Sequence, residues 1–154
     1  MKENGKATIS SSLQLRIVAI FILSLLPVTL PATESELPET IPNTTAVNAE
    51  KLIAIASKSD SLVLIDARLK TDHRQGFIEG SISLPDTMTN CKTLNEVIEN
   101  KDQPIIFYCN GPKCKRSSHS VLIAQKCSYK NIYWFRGGID EWKKKNYPLI
   151  RQSR

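Results

Sequence analysis

Residues 105–123 read IIFYCNGPKCKRSSHSVLI, and their pattern is the most informative one in the chain about its fold. It opens with an apolar run that ends at Cys109, continues through a polar loop, and closes in an amphipathic segment that carries Val121, Leu122 and Ile123. A short run of apolar residues without polar interruption is typical of a strand that is buried on both faces, as in parallel sheets. The stretch therefore predicts a strand, a loop and a helix, with a cysteine where the strand ends.

Apolar runs and helical segments alternate on both sides of this stretch. Residues 62–65 and 132–135 predict two further buried strands, and a shorter strand is expected around Ile82. The alternation predicts an α/β domain with a mainly parallel central sheet flanked by helices on both faces. Besides the helix of residues 117–126, helices are expected at residues 49–56, capped by Asn48, around residues 93–98, and at residues 139–145.

The first 32 residues have the pattern of an export signal. Lys2, Lys6 and Arg16 accompany an almost unbroken apolar run over residues 17–30, and Ala32 offers a small residue for cleavage. The run is short for a membrane span. Residues 1–32 are therefore predicted to be a signal peptide of a periplasmic or secreted protein. The alternative is an uncleaved anchor that holds the protein at the membrane, facing outside the cytoplasm.

The rest of the chain divides into three parts. Residues 33–45 contain Pro38 and Pro42 among Ser, Thr and Glu without apolar periodicity, which predicts a linker. Residues 46–150 form the predicted domain, with packed structure beginning near Val47, and residues 151–154 form a tail. The formal net charge is +6. This mild excess favours small anionic ligands rather than nucleic acid, and contact with a membrane is expected only if the leader is uncleaved.

The loop after Cys109 suits an anionic sulfur. Amides of a loop that enters a helix, and the partial positive charge of the helix start, favour the charged form of a thiol, and the thiolate is the nucleophile. We therefore expect Cys109 to be ionised at neutral pH. Gly111 permits the tight backbone that such a loop needs. The candidate anion-binding residues are Asn110, Gly111, Pro112, Lys113, Lys115, Arg116 and Ser117.

Three blocks of the sequence resemble the rhodanese, or sulfurtransferase, family. They are LIDARLKTDHRQGFIEGSISLP at residues 64–85, YCNGPKCKRSS at residues 108–118 and YWFRGGIDEWKKKNYPL at residues 133–149. They occur in the order found in the family, and the resemblance extends over residues 47–149. It implies a rhodanese-like fold whose catalytic cysteine, here Cys109, lies at the end of the central strand.

The resemblance also implies a reaction. The thiolate of Cys109 takes the outer sulfur of a small anionic donor such as thiosulfate, becomes a persulfide, and passes that sulfur to a thiophilic acceptor, either a small molecule or a protein thiol. This is covalent catalysis in two steps. Loop amides, Arg116 and the helix start would stabilise the persulfide anion. No cofactor is implied.

The loop departs from the family pattern at one important position. Sulfurtransferases commonly carry a basic residue five positions after the cysteine, where this chain has Cys114. Cell-cycle dual-specificity phosphatases of this fold need Cys-x5-Arg, and Lys115 stands in place of that arginine, so phosphatase activity is not favoured. Cys114 is a candidate resolving thiol, able to pair with Cys109, or an alternative nucleophile.

Two other classes of function remain open. The chain could be a thiol–disulfide redox protein that uses Cys109 and Cys114, or a rhodanese-like binding module without catalysis. Cys127 is expected to be a small buried apolar residue, and Cys91 either free or paired. Four cysteines allow three complete pairings. The C-x4-C spacing is not a usual zinc pattern, so no metal site is expected.

The remaining polar and aromatic candidates are expected to have structural roles. Asp66 is predicted to make hydrogen bonds at a strand end, and Arg68 to form a surface ion pair. His73 and His119 are expected to be exposed, with His119 a secondary candidate for contact with an anion. Trp134 and Trp142 are assigned to packing.

Overall fold

Five parallel strands form a single sheet at the centre of the molecule. The computed structural model describes residues 38–151, so the predicted leader, the first residues of the predicted linker and the last residues of the tail lie outside the described residues. The strand order is β1-β5-β4-β2-β3, with every neighbouring pair parallel. The strands are β1 (Thr45–Ala46), β2 (Val63–Asp66), β3 (Ser81–Ser83), β4 (Ile105–Tyr108) and β5 (Ile132–Phe135).

Helices connect the strands and cover the sheet. Most lie where the sequence predicts them, and the side chain of Asn48 caps the first by accepting a hydrogen bond from the Lys51 amide. The second helix was not predicted, because its sequence KTDHRQ has no apolar face. The helices are α1 (Ala49–Ala56), α2 (Lys70–Gln75), α3 (Cys91–Val97), α4 (Arg116–Lys126) and α5 (Gly138–Lys144).

Two apolar cores lie on opposite faces of the sheet. One contains Leu94 of α3 and Val121 of α4, packed against residues such as Phe107 of β4. The other contains Leu52 of α1 and Trp142 of α5. β4 is the middle strand, and all four of its residues are buried. The predicted α/β class, with helices on both faces, is confirmed, and the sheet is parallel throughout. Among the helices within residues 38–151, none has the length and hydrophobicity to cross a bilayer.

Packed structure begins earlier than the sequence predicts. Ile41 is buried in the core that includes Trp134, and the edge strand β1 pairs with β5 through Thr45 and Ala46. The side-chain amide of Gln125 also donates to the carbonyl oxygen of Pro42. The second half of the predicted linker is therefore part of the folded unit.

Cys91 and Cys127 form a disulfide, so the expectation that Cys127 is simply a buried apolar residue was wrong. Cys91 is the first residue of α3 and Cys127 is the C-cap of α4, and their Cα atoms lie 5.4 Å apart. The bond fastens these two helices together. Cys109 and Cys114 are both free thiols.

A buried polar network surrounds the end of β2. Asp66 is fully buried and accepts hydrogen bonds from Arg68, from His73 Nδ1 at 3.0 Å and from the hydroxyl of Tyr108 at 2.9 Å. The hydrogen bonding of Asp66 agrees with the prediction. The predictions of a surface ion pair for Arg68 and an exposed His73 were wrong, because their exposed fractions are 4% and 7%. Burial alone would raise the pKa of Asp66, but the hydrogen bonds and charge of Arg68 outweigh it and lower that pKa.

Candidate functional site

The cysteine loop, residues 110–115, connects β4 to α4 at the carboxyl edge of the sheet. Cys109 follows the last residue of the central strand, and α4 begins at Arg116. Ligands of open parallel sheets bind at this edge. Cys109 therefore lies directly after the central strand, at the edge of the sheet where the sequence predicts it.

Backbone amides at the start of α5 form hydrogen bonds with the beginning of the cysteine loop and fix its position. The amide of Ile139 donates to the carbonyl oxygen of Cys109 at 3.0 Å, and the amide of Asp140 donates to that of Asn110 at 2.7 Å. Gly138 has a φ of 53°, and a Cβ atom there would collide with the carbonyl oxygen of Cys109. Only glycine combines this backbone conformation with so close an approach. The Gly-Gly block of the sequence therefore positions the cysteine loop.

Cys109 is almost fully buried, with 1% of its surface exposed. Its thiol donates to the carbonyl oxygen of Cys114 at 3.4 Å and lies 3.1 Å from the Oγ atom of Ser117. The indole Nε1–H of Trp134 donates to the same Oγ atom at 2.9 Å. Because Trp134 occupies an acceptor position of Ser117, the hydroxyl hydrogen of Ser117 can be directed at the sulfur of Cys109.

Cys114 is half-buried and faces the backbone amides of the loop. The neighbouring Cys109 thiol, the amides of Arg116 and Asn110, and the charge of Arg116 together lower the pKa of Cys114 to about 6. The hydrogen bond to Cys114 and burial raise the pKa of Cys109. These directions favour Cys114 as the ionised thiol of the pair, whereas the sequence led us to expect Cys109 in that role.

The positive side chains around the loop have different environments. The Nε atom of Arg116 lies 3.5 Å from Asp86 Oδ1, and His119 Nδ1 lies 3.5 Å from Asp86 Oδ2. Lys113 and Lys115 are exposed. His119 is exposed as predicted and faces a carboxylate. The charge of Arg116 acts on the Cys114 thiol, and Asp86 partly balances that charge.

The predicted site residues separate into two groups. Asn110, Arg116 and Ser117 surround the two sulfurs, through backbone amides, a charge or a hydroxyl. Pro112 and Lys113 form the exposed tip, while Gly111 is buried where a Cβ atom would collide with Asp140. Among residues 38–151, no group of three or more His, Cys, Asp or Glu side chains is arranged to hold a metal ion.

Sequence reasoning missed three residues that shape the site. They are Trp134, which it assigned to packing alone, together with Asp86 and Gly138. The Gly-Gly block of the resemblance pointed to Gly138. Nothing in the sequence pattern pointed to Asp86, which follows Pro85 at the start of a 3-10 turn and meets α4 only in the folded chain.

Solved structures share this fold at low sequence identity. The BH2092 protein from Bacillus halodurans superposes with a TM-score of 0.62 at 23% identity, over 70% of this chain and 77% of that one. The thiosulfate sulfurtransferase from Pseudomonas aeruginosa gives a TM-score of 0.57 at 23% identity, over 72% of this chain and 21% of that larger one. These similarities support the fold.

Similar sequences include one protein without an assigned activity and one sulfurtransferase. The uncharacterized protein YibN of Escherichia coli K12 is 28% identical over 136 residues, 88% of this chain and 90% of that protein. A sulfurtransferase of Allochromatium vinosum is 23% identical over 104 residues, 68% of this chain and 92% of that protein. The model of the Rhodanese-like domain family matches residues 48–145, which include every strand but β1 and the whole cysteine loop. The chain therefore belongs to the rhodanese-like domain family.

Proposed function

We propose that this protein is a sulfurtransferase that forms a persulfide on Cys109, with Cys114 as the group that takes the proton of Cys109. The observation that carries the proposal is the thiol pair at the end of β4. The Cys109 thiol donates a hydrogen bond to the carbonyl oxygen of Cys114, and the pKa of the Cys114 thiol is lowered to about 6. Cys114 is a neighbouring group that can take the proton of Cys109, but its lowered pKa makes it a weak base, so the proton moves only as the new sulfur–sulfur bond forms. The similarity to the sulfurtransferase of Allochromatium vinosum supports the same chemistry.

The first step loads the protein with sulfur. Cys109 attacks the outer sulfur of thiosulfate as its proton moves to the thiolate of Cys114. The sulfur–sulfur bond of thiosulfate breaks, and sulfite leaves with the bonding electron pair. The products are a persulfide anion on Cys109, a protonated Cys114 and sulfite, so charge and atoms balance.

The second step unloads it. A thiophilic acceptor, such as cyanide or a thiolate, attacks the outer sulfur of the persulfide. Cys109 leaves as a thiolate and recovers its proton from Cys114. The hydroxyl and amide of Ser117 both favour the anionic form of Cys109, and they stabilise it as the leaving group.

Intact-mass measurement after incubation with thiosulfate tests the proposal. The wild type should gain the mass of one sulfur atom, the Cys114→Ala variant should gain it more slowly at neutral pH, and Cys109→Ala should not gain it. A gain that persists in Cys109→Ala but not in Cys114→Ala would make Cys114 the nucleophile. No gain in any of the three proteins would remove sulfurtransfer.

A second candidate is a thiol–disulfide redox protein. The lowered pKa of Cys114, whose carbonyl oxygen lies 3.4 Å from the Cys109 sulfur, favours it, because thiolate attack is the elementary step of disulfide exchange. Titration in glutathione redox buffers, followed by the mass of alkylated peptides, should then show a reversible disulfide between these two residues. If they stay reduced while Cys91 and Cys127 are paired, this candidate is excluded.

We also propose that the protein works in an oxidising compartment, after export by residues 1–32. The Cys91–Cys127 disulfide supports this, since such bonds persist outside the cytoplasm. Cell fractionation followed by intact-mass measurement tests it. A periplasmic or secreted protein that lacks the leader supports export with cleavage, whereas a membrane-bound protein of full mass supports an anchor. A cytoplasmic protein of full mass with four free thiols contradicts the proposal.

A further inference from the structure

A cavity of about 560 Å³ opens beside the cysteine loop at the carboxyl edge of the sheet. We call it the basic cavity, and define it by Asn48, Lys51, Pro112, Arg136 and Glu141. Asn48 follows β1, Arg136 follows β5, and Pro112 belongs to the cysteine loop. The volume is that of a site for a small organic molecule rather than a single ion, and thiosulfate would fill only a small part of it.

The cavity contains one buried donor without a partner and one solvent-exposed positive side chain. The Nε atom of Arg136 is buried and has no hydrogen-bond partner within residues 38–151. Lys51 also lines the cavity, and its side chain forms no ion pair with any described residue. A buried donor left unpaired is costly, and a bound anion would remove that cost.

Glu141 is the acidic residue of the cavity, and its charge is already engaged. Its Oε1 atom accepts a hydrogen bond from the Ala49 amide at 2.9 Å and lies 3.3 Å from the Nζ atom of Lys145. Its partners therefore come from α1 and α5. Arg136 and Lys51 are left facing the cavity without a matching carboxylate, and the positive end of α1 adds to their field.

We propose that the basic cavity binds the carboxylate of a small thiol acceptor, whose sulfur reaches the cysteine pair along the cysteine loop. The inference rests on the proposed sulfurtransferase function and names the class of its acceptor. The guanidinium edge of Arg136 suits a planar carboxylate, and Lys51 supplies a second charge. Pro112 links the cavity to the loop that holds the sulfurs.

Acceptor kinetics test the proposal. ω-Mercaptocarboxylates of increasing length are compared with ω-mercaptoalcohols of the same length, with thiosulfate as the donor. The wild type should show a lower KM for the longer carboxylates, and Lys51→Gln/Arg136→Gln should raise that KM about tenfold more than it raises the KM of the alcohols, the effect of losing a charge-assisted hydrogen bond. Arg136→Lys, which keeps the charge but loses Nε, should fall between.

A matched double variant controls for net charge. Arg74 and Lys126 are exposed and lie outside the basic cavity, so Arg74→Gln/Lys126→Gln has the same charge as the test variant. It should keep the carboxylate preference. An equal loss in this control, or no preference for carboxylates in the wild type, would overturn the proposal.

A binding experiment without chemistry separates this inference from the proposed function. S-methylated mercaptocarboxylates are titrated into Cys109→Ser/Cys114→Ser while amide NMR shifts are followed. Saturable shifts near Lys51 and Arg136, lost in the further variant Arg136→Gln, support the cavity. If these shifts occur but the wild type transfers no sulfur, the proposed function is contradicted and the proposed carboxylate site is supported. If sulfur transfer proceeds while these shifts are absent, carboxylate binding in the basic cavity is contradicted and the sulfurtransferase proposal is supported.

Discussion

The indole Nε1–H of Trp134 donates a hydrogen bond to the Oγ atom of Ser117 at 2.9 Å, and this contact joins β5 to the first turn of α4 directly beneath Cys109. Ser117 lies 3.1 Å from the sulfur of Cys109 and can direct its own hydrogen there. An aromatic core residue thus acts on the thiol through one hydroxyl.

Ser117→Ala should weaken both the fold and the site. It leaves the buried Nε1 of Trp134 without a partner, which costs about 1–3 kcal/mol of unfolding free energy, and it removes a hydrogen bond that favours the Cys109 anion, so persulfide formation should slow. Urea unfolding and the rate of mass gain with thiosulfate measure the two effects. Ser118→Ala, whose hydroxyl donates only to the carbonyl oxygen of Lys115, should affect both much less.

Alkylation of Cys114 by iodoacetamide should follow a titration near pH 6. The rate should fall below that pH, as the thiolate is protonated, and level off above it. Cys109→Ala removes the hydrogen bond that contributes most to the lowered pKa, so the midpoint should move up toward the ordinary value of about 8.5. Peptide mass spectrometry over a pH series measures both. An unchanged midpoint in Cys109→Ala would show that the loop amides alone set this pKa.

Asp66→Asn should be strongly destabilising, by about 3–5 kcal/mol, because it leaves Arg68 buried beside a neutral side chain. The pKa of Asp66 is lowered in the folded protein. Its contribution to stability is therefore present above the unfolded pKa of about 3.9, and is lost as the pH falls below that value through the folded pKa. Urea unfolding between neutral pH and pH 3 should show this loss in wild type and in Asp72→Asn, but a flatter profile in Asp66→Asn.

Gly138→Ala should lower the unfolding free energy by more than the cost of its backbone conformation alone, and should displace the cysteine loop. Gly80 provides the comparison, because its φ of 76° is also positive while a Cβ atom there would meet nothing. Gly80→Ala should cost about 1–2 kcal/mol for its conformation. Gly138→Ala adds a collision with the carbonyl oxygen of Cys109, so it should cost more and raise the pKa of Cys114. Equal costs, with an unaltered thiol titration, would mean that the loop tolerates displacement.

Loss of the Cys91–Cys127 disulfide should lower stability without removing the thiol chemistry. The bond joins residues 36 positions apart, and closing a ring of that size is worth about 4 kcal/mol in the chain-entropy account. Cys127→Ser should lose unfolding free energy of this order, whereas Cys114→Ser should not. The persulfide mass gain of Cys127→Ser, measured where it is still folded, should match that of the wild type. A loss of mass gain in the folded variant would connect this bond to the site.

The buried strands were the most predictable part of the fold. β4 and β5 begin and end where the apolar runs of the sequence do, because a strand covered on both faces has no polar positions. α2 was missed because its surface is polar throughout and its place depends on the Asp66 network. The disulfide was missed for a related reason: α3 and α4 bring Cys91 and Cys127 together only after the sheet has formed.

The candidate site was predictable in position but not in its protonation. The order of strand, cysteine, loop and helix was enough to bring Cys109 to the sheet edge. The opposite directions of the two pKa shifts depend on where each side chain points, and the amides of Asn110 and Arg116 face Cys114 rather than Cys109. That orientation arises from tertiary contacts with α5 and β5, which no local pattern encodes.

The contact between Gly138 and the end of β4 has a wider consequence for the polarity of the site. Because α5 takes up the carbonyl oxygens of Cys109 and Asn110, these acceptors are turned away, and the loop presents mainly donors to the sulfurs. The loop thus attracts anions through the orientation of its backbone N–H groups. Relatives that exchange the exposed lysines of this loop should still prefer an anion, provided that the residue at position 138 stays glycine and the two amides that follow it keep those oxygens hydrogen bonded.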